Sequence, residues 1–516
     1  MKPIRLMSGF FTVGIWTLLS RLMGFVRDIM IAAYLGTGPV AEAFLVAFSL
    51  PNLFRRFFAE GAFNMAFVPM FSKKVEGDDD ALRFAQDAFV GMTFLLTAFT
   101  TLGIVLMPAL VAAMASGFIG DLRFDLAVFY GRIAFPYILF ISLAALLSGV
   151  LNATGRFVAA AAAPVLLNII FVLAMIVTAL AVDTSDQTIG RSLAWAVPVA
   201  GGAQLFLVWF AAKRAGFPLR LGPPKMTPDL RKLALIAAPA ALAGGVMQIN
   251  LLVGRQVASF SEGAVAWLNY ADRLYQLPLG VVGIAIGVVL LPDLSRRLRA
   301  GDAAGGRDAF NRASEISLAL TIPSAIALMV IPSPLVSVLF ERGAFDASDT
   351  AATAIAVAIY GLGLPAFVLQ KTLQPLFFAR EDTKRPFYYA LAAMVLNAAI
   401  AIGLSFYVGY IAAALGTTFT AWAMVIMLRR GAREMGAAAM FDDRFKTRIW
   451  RIVAAALGMG AILLGASLVM APLFEIATLR YIALLVLIAI GIVSYFVIGQ
   501  MVGAFKLSEF RRNLRR

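Results

Sequence analysis

The chain has 516 residues, of which 61% are hydrophobic and only 14% charged, with a formal net charge of +15. Soluble domains carry about 25% charged residues, so this composition excludes an ordinary water-soluble protein. The sequence contains neither Cys nor His and no GxxxxGK[ST] loop, which excludes disulfides, thiolate nucleophiles, histidine acid–base chemistry and a P-loop ATPase. We therefore expect no cofactor and no metal site.

Apolar stretches long enough to cross a bilayer follow one another along the chain. Membrane β-strands alternate in hydrophobicity and are about half this length, so helices are favoured. The sequence predicts an all-α polytopic membrane protein with about fourteen transmembrane helices. Their expected bounds are 8–34, 43–71, 88–115, 127–152, 158–182, 190–212, 233–257, 264–292, 313–340, 351–378, 387–409, 411–428, 450–471 and 480–503.

Basic residues are concentrated in the connections on one side of these spans. The connections on the other side hold only Arg123, Arg191, Arg342 and Arg480. The positive-inside rule therefore predicts that both termini are cytoplasmic. This topology, together with contact with anionic lipid, accounts for the net charge without nucleic-acid binding.

The two halves of the chain repeat each other. A shift of about 223 residues lays Ala43-Phe44 on Ala266-Trp267, and similar offsets lay Leu167-Asn168 on Leu396-Asn397. Copies separated by an even number of spans keep one orientation, which predicts two six-helix lobes around a central cavity suited to alternating access. The expected divisions are an N-terminal lobe (1–215), a cytoplasmic linker (216–232), a C-terminal lobe (233–430), and two extra helices with a basic tail (450–516).

Several charges lie inside or beside the predicted spans, where lipid would be expected. An Arg at mid-bilayer costs about 2.5–3.5 kcal/mol on insertion scales, so such residues usually face a wet cavity or a partner. The basic residues are Arg21, Arg27, Arg55, Arg56, Arg132, Arg255, Arg273 and Lys371, and the acids are Asp28, Glu42, Glu60 and Asp272. The excess of cations predicts a cavity for an anionic substrate.

The local spacing of these charges refines this prediction. Arg21, Gly24 and Asp28 share one helical face, and Gly24 would let a ligand approach the backbone. Arg55-Arg56 follow Pro51-Asn52, where we expect a break in the second helix. Guanidinium forks suit phosphate and pyrophosphate oxygens. The alternative interpretation is that these arginines lie at span ends, extend to the membrane surface by snorkelling and pair with nearby acids.

The remaining basic positions are less informative. Arg132 and Arg255 lie near span ends, where snorkelling is expected. Lys371 lies deeper, beside two glutamines, and fits either a polar cavity lining or a contact between helices.

Extended motifs resemble those of one known family. The segments SRLMGFVRD (20–28), LPNLFRRFFAEGAFNMAFVP (50–69) and YADRLYQLPLGVVGIAIGVVLLPDLS (270–295) closely resemble the MurJ (MviN) family of lipid II flippases. The resemblance implies fourteen spans in a fold like that of the multidrug and oligosaccharidyl-lipid exporters. It also implies transport of the undecaprenyl-pyrophosphate-linked peptidoglycan precursor, lipid II, to the outer leaflet of the bacterial inner membrane, with cell-wall synthesis proteins as partners.

The resemblance also implies roles for single residues. Those matching the family's cavity arginines, which would bind the pyrophosphate, are Arg21, Arg27, Arg55 and Arg273. Accompanying charged positions are Arg56, Glu60 and Asp272, and Glu42 stands where Asp is expected. A sodium site reported for some members uses carboxylates of the seventh, eleventh and twelfth spans. The corresponding spans here contain no Asp or Glu, so a hard-cation site is poorly supported.

Three alternative functions stay open at this point. Another exporter of the same fold, for drugs or O-antigen units, would share the architecture, although a pump for organic cations should have an acidic cavity. A membrane enzyme acting on a polyprenyl phosphate would explain the arginines, but should show paired carboxylates or metal ligands. A non-transporting scaffold for cell-wall enzymes should tolerate loss of the cavity arginines.

Overall fold

The fold is helical throughout the part of the chain that the computed structural model describes, which comprises residues 6–55, 62–77, 80–181, 184–285, 291–436, 439–476 and 478–504. The chain divides into two compact units. The first contains residues 1–266 and 342–345, and the second contains residues 267–341 and 346–516. The predicted all-α fold is confirmed for these described ranges.

The first unit holds ten helices among its described residues and the start of an eleventh. They are α1 (Leu6–Leu35), α2 (Pro39–Arg55), α3 (Ala62–Glu76), α4 (Ala81–Val105), α5 (Met107–Met114), α6 (Leu122–Ala134), α7 (Tyr137–Ala153), α8 (Val158–Ala181), α9 (Asp186–Arg214), α10 (Pro228–Ala258) and α11 (Ala264–Ala285). Residues 216–227, within the predicted linker, are not helical. The predicted lobe boundaries follow the sequence repeat and stay predictions.

The helix α10 packs within the first unit. It contacts α3, α4 and α5, and its Leu233 is buried with Phe67 and Phe84.

The second unit holds the rest of α11 and the helices that follow it in the described residues. They are α12 (Leu291–Arg299), α13 (Ala303–Val330), α14 (Pro332–Phe340), α15 (Ala347–Phe378), α16 (Lys384–Val408), α17 (Ile411–Arg433), α18 (Asp443–Val469), α19 (Ala471–Glu475) and α20 (Arg480–Met501). The C-terminal helices α18 and α20 share a core with α13 around Met459, Leu463 and Leu487. Tyr495 Oη also donates to the Ala319 carbonyl at 2.6 Å, which fixes α20 on α13.

Ten helical stretches of the described residues are long enough and apolar enough to span a membrane. They correspond to ten of the predicted spans. The other four predicted spans fall on α1, on α2 with α3, on α10, and on α11 with α12. The multi-pass membrane character is therefore confirmed, whereas the count of fourteen stays a prediction.

The expected break at Pro51-Asn52 was wrong. Pro51 lies inside α2, which continues to Arg55. Proline removes one backbone donor from the helix, and in membrane helices side chains often bond the carbonyls that are left. Here Asn52 Nδ2 donates to the Phe48 carbonyl at 2.9 Å, four residues earlier. That carbonyl is not the one that Pro51 leaves without a donor, which is the Ala47 carbonyl four residues before the proline, so α2 continues to Arg55 without this bond replacing the lost one.

A tight backbone contact joins the end of α1 to the segment 342–345. The Ala344 amide donates to the Ala33 carbonyl at 2.9 Å. Gly36 and Gly343 both have positive φ, +58° and +61°, and a Cβ on Gly343 would lie 2.1 Å from the Ala33 oxygen. Only glycine fits there, because L-residues disfavour this conformation and no side-chain atom fits the gap.

An ion-pair network ties α13 to the start of α18. Glu315 accepts from both Arg312 and Arg448, and Arg312 also donates to Asp442. Burial alone would raise the pKa of Asp442, but the Phe445 amide and Arg312 hold that pKa below its ordinary value. The carboxylate therefore stays ionised at neutral pH and keeps its partner.

Candidate functional site

Arg27 is held in a closed polar cluster of the first unit. Its Nη2 donates to Asp28 Oδ1 at 2.7 Å and its Nη1 to Asn168 Oδ1 at 3.0 Å, and Asn168 Nδ2 donates in turn to the Ser20 carbonyl at 2.9 Å. Arg27 and Asp28 are 7% and 4% exposed. The Asn168 side chain packs against Gly24, 3.5 Å from where a Cβ would lie, and the approach of a ligand to Gly24 stays a prediction.

Aromatic rings complete the surroundings of Arg27. Its guanidinium carbon lies 5.9 Å from the ring centre of Phe48 on α2 and 5.6 Å from that of Phe171 on α8. Cation–π contacts and charged hydrogen bonds strengthen each other in a site with little water. Arg27 therefore connects α1, α2 and α8, and its charge is balanced by its neighbour.

Arg21 and Arg55 differ from Arg27 in their surroundings. Arg21 is exposed on α1, about 9 Å before Arg27 along the helix axis at 1.5 Å per residue. Arg55 is half-buried at the end of α2, and its Nε donates to Asn52 Oδ1 at 3.3 Å. Both guanidinium groups can offer N–H donors to an anion.

The second unit carries the other predicted group on α11. Asp272 and Arg273 are both half-buried, and Asp272 accepts from Gln276 one turn later. Tyr275 packs between two aromatic rings of α15, with centroid distances of 5.0 Å to Tyr360 and 5.3 Å to Phe367. The aromatic contacts fix this part of α11 on α15.

The weaker candidates separate by exposure. Lys371 is exposed on α15, and the helix contact beside it is made by Gln370, whose Nε2 donates to the Ala421 carbonyl at 3.0 Å. Arg132 is exposed and Arg255 is half-buried, with an Nη1 3.9 Å from Met114 Sδ. The candidates Arg56 and Glu60 lie outside the described residues.

Glu42 occupies a buried ion pair. Its side chain is fully buried at the start of α2, where it accepts from Arg123 Nη1 at 3.0 Å and from the Val265 amide at 2.9 Å. Arg123, at the start of α6, also stacks on the Phe118 ring at 4.4 Å. Glu42 thus joins α2, α6 and the first turn of α11, and its carboxylate is covered by protein.

The described residues hold no cluster of three or more Asp, Glu, His or Cys side chains that could bind a metal ion. A guanidinium group can donate hydrogen bonds to a phosphorylated ligand and neutralise its charge.

Comparisons with known proteins agree on one family. The sequence profile described as "Lipid II flippase MurJ" matches residues 31–487. The chain is 41% identical over 520 residues to the "Probable lipid II flippase MurJ" of Rhizobium tropici, across 99% of this chain and 97% of the relative. The chain belongs to the MurJ family. The "Probable lipid II flippase MurJ" of Rhizobium meliloti (strain 1021) is 43% identical over 519 residues, with 99% and 96% covered. MurJ proteins are flippases, so this chain is a transporter and not an enzyme.

Solved structures show the same fold. A structure described as "Lipid II flippase MurJ, inward closed conformation" superposes with a TM-score of 0.79 at 24% identity, over 98% of this chain and 99% of the other. An inward-facing multidrug resistance transporter of the MATE family gives a TM-score of 0.67 at 16% identity, over 81% and 95%. The expected relation of the MurJ fold to the multidrug exporters is confirmed.

Two residues of this region were missed from the sequence. Asn168 served only as a marker of the repeat, and Arg123 only as a charge on the less basic side. Asn168 is the lone amide in the very apolar stretch 158–182. Since a buried polar group needs a partner, this amide was the sequence signal for a polar contact at that position. Nothing in the sequence near Arg123 indicated its partner Glu42, which lies 81 residues earlier.

Proposed function

We propose that this member of the MurJ family carries lipid II from the inner to the outer leaflet of the bacterial cytoplasmic membrane by alternating access. The arginines Arg21, Arg55 and Arg273, with Arg56, are proposed to bind the pyrophosphate. The observation that carries this assignment is the accessible guanidinium of Arg21 on a predicted spanning helix, about 1.7 helical turns before the buried Arg27–Asp28 pair. Among the described residues no carboxylate pairs with Arg21, and a cation in such a position favours an anionic ligand.

The structure supports a different role for Arg27. Its donors are directed at Asp28 and Asn168, and its exposed fraction is small. We propose that Arg27 is a positioning residue, which fixes α1 on α8 so that Arg21 is presented correctly. Asp28 and Asn168 act with it. Cell-wall synthesis proteins that make or consume lipid II are proposed as partners, because the substrate is membrane-bound on both sides of the transport step.

We further propose that both termini are cytoplasmic. The chain has no native Cys, so single cysteines report topology directly. Ser261→Cys should react with an impermeant maleimide in intact cells, and Gly222→Cys should react only after the membrane is permeabilised. Labelling of Gly222→Cys in intact cells would reverse the proposed orientation.

Transport is expected to depend on membrane potential. A potential that is negative inside favours outward movement of the substrate anion by about 2.3 kcal/mol per charge per 100 mV if the full field is crossed. Purified protein in liposomes should therefore flip lipid II faster under an inside-negative potassium diffusion potential, with no ATP present. Equal rates with and without the potential would contradict this mechanism.

A further inference from the structure

A cavity of about 520 Å³ opens in the first unit, away from the residues described above. It lies between α1, the α7–α8 turn and α9, and its walls include Leu151, Ala162 and Leu207. Ligand pockets in proteins typically measure about 300–1,000 Å³, so the cavity is large enough for part of a small amphipathic molecule.

Two arginines stand at this cavity. Arg156 is presented by a glycine turn: Gly155 has φ +75°, and the Arg156 amide donates to the Leu151 carbonyl at 2.8 Å, which closes the end of α7. Arg156 Nη1 reaches the backbone carbonyl of Arg214 at 3.2 Å, and the Arg214 guanidinium stacks on the Phe210 ring at 4.3 Å. These contacts bring both cations to the end of α9.

No acid of the described residues balances the charge of these two arginines. Both side chains are exposed, and within the described ranges of the chain neither one pairs with a carboxylate. Among the described residues, the lining contains no acid, and Thr12 is its one uncharged polar side chain. The apolar wall continues outward at Val158, which is 58% exposed. The site thus combines two guanidinium groups with an apolar surface.

We propose that this cavity binds an anionic phospholipid, with the phosphodiester on Arg156 and Arg214 and an acyl chain along the apolar wall. The substrate's own head fits less well, because a disaccharide and a peptide need many hydrogen-bonding groups that this lining does not offer. Placement in the cytoplasmic leaflet rests on the proposed orientation of the chain. There, anionic lipids and basic segments attract each other.

The test is lipid binding by the purified full-length protein in detergent, measured by native mass spectrometry. Phosphatidylglycerol and phosphatidylcholine of the same acyl chains serve as probes, because the choline cation should be repelled by the two arginines. The native protein should retain phosphatidylglycerol about tenfold more tightly than phosphatidylcholine. The double variant Arg156→Gln/Arg214→Gln should lose this preference.

The control Arg220→Gln/Lys225→Gln removes the same charge from exposed positions of the neighbouring segment and should bind like the native protein. Ala162→Leu, which fills the apolar part, should weaken retention while both arginines remain. Melting temperature and gel filtration check the fold of each variant.

Equal retention of the two lipids, or unchanged phosphatidylglycerol binding in the arginine double variant, would overturn the assignment. Displacement of phosphatidylglycerol by undecaprenyl pyrophosphate from the native cavity would overturn it too, because the cavity would then belong to the substrate. Lipid retention is measured without transport. A negative result in the retention assay therefore does not contradict the proposed flippase mechanism, and a negative result in a transport assay does not contradict phospholipid binding at this cavity.

Discussion

Replacing Arg21, Arg55 or Arg273 by alanine is expected to abolish growth of a strain that depends on this protein, while the variant still folds and inserts. Charged hydrogen bonds contribute about 1.5–3 kcal/mol each, so losing one weakens head-group binding by about tenfold or more. Loss of an intramembrane charge should not impair insertion. Complementation of a depleted strain, with membrane levels of each variant measured alongside, tests this expectation.

Arginine geometry provides a second readout. Lysine at the same positions should restore growth only in part, because an ammonium group cannot make the bidentate contact with a pyrophosphate. Arg132→Ala is the matched control, since Arg132 is exposed near the end of a predicted span and should tolerate the change. If alanine variants at all three sites support growth at normal protein levels, the anion-binding mechanism fails and the scaffold function gains support.

Arg27→Ala should behave differently from these three variants. It removes the cation that donates to the Asp28 carboxylate, which is 4% exposed. Breaking a buried pair in this way costs about 3–5 kcal/mol, so we expect both loss of growth and a lower melting temperature of the purified protein. A melting temperature unchanged from the native protein would instead place Arg27 with the substrate-binding arginines.

The helices were predictable from the sequence because apolar length alone decides what crosses a bilayer. Breaks within the long stretches were not all predictable. Leu106 separates α4 from α5, two residues before Pro108, and Ile331 separates α13 from α14, directly before Pro332. The proline at position 51 gave the same signal, but α2 continues through it to Arg55.

The charged residues of the candidate site were found from the sequence, but their different environments were not. Arg21 and Arg27 lie in one motif, and an expensive intramembrane charge marks both equally. What separates them is Asn168, which lies 141 residues from Arg27 and reaches it only after α1 packs on α8. Pairings that depend on tertiary contact between distant spans leave no local pattern to recognise.

The buried pair of Glu42 and Arg123 leads to the last prediction. Glu42 is fully buried and Arg123 is 8% exposed, with 3.0 Å between Glu42 Oε2 and Arg123 Nη1. Arg123→Ala leaves a buried carboxylate with the backbone amides of Gly263 and Val265 as its remaining partners in the described contacts. We expect the free energy of unfolding to fall by about 3–5 kcal/mol, seen as a lower melting temperature in detergent.

The double variant Glu42→Gln/Arg123→Met separates the cost of the unpaired charge from the loss of packing. Glutamine keeps an oxygen acceptor for the Val265 amide and carries no charge, and methionine occupies part of the arginine's volume beside Phe118. Replacing a buried ion pair by neutral groups is often close to neutral in stability, so the double variant should recover most of the melting temperature that Arg123→Ala loses. A double variant as unstable as Arg123→Ala would show that the charge of Glu42 is not the cause. In that case the packing of Arg123 on Phe118, rather than the ion pair, holds α6 in place.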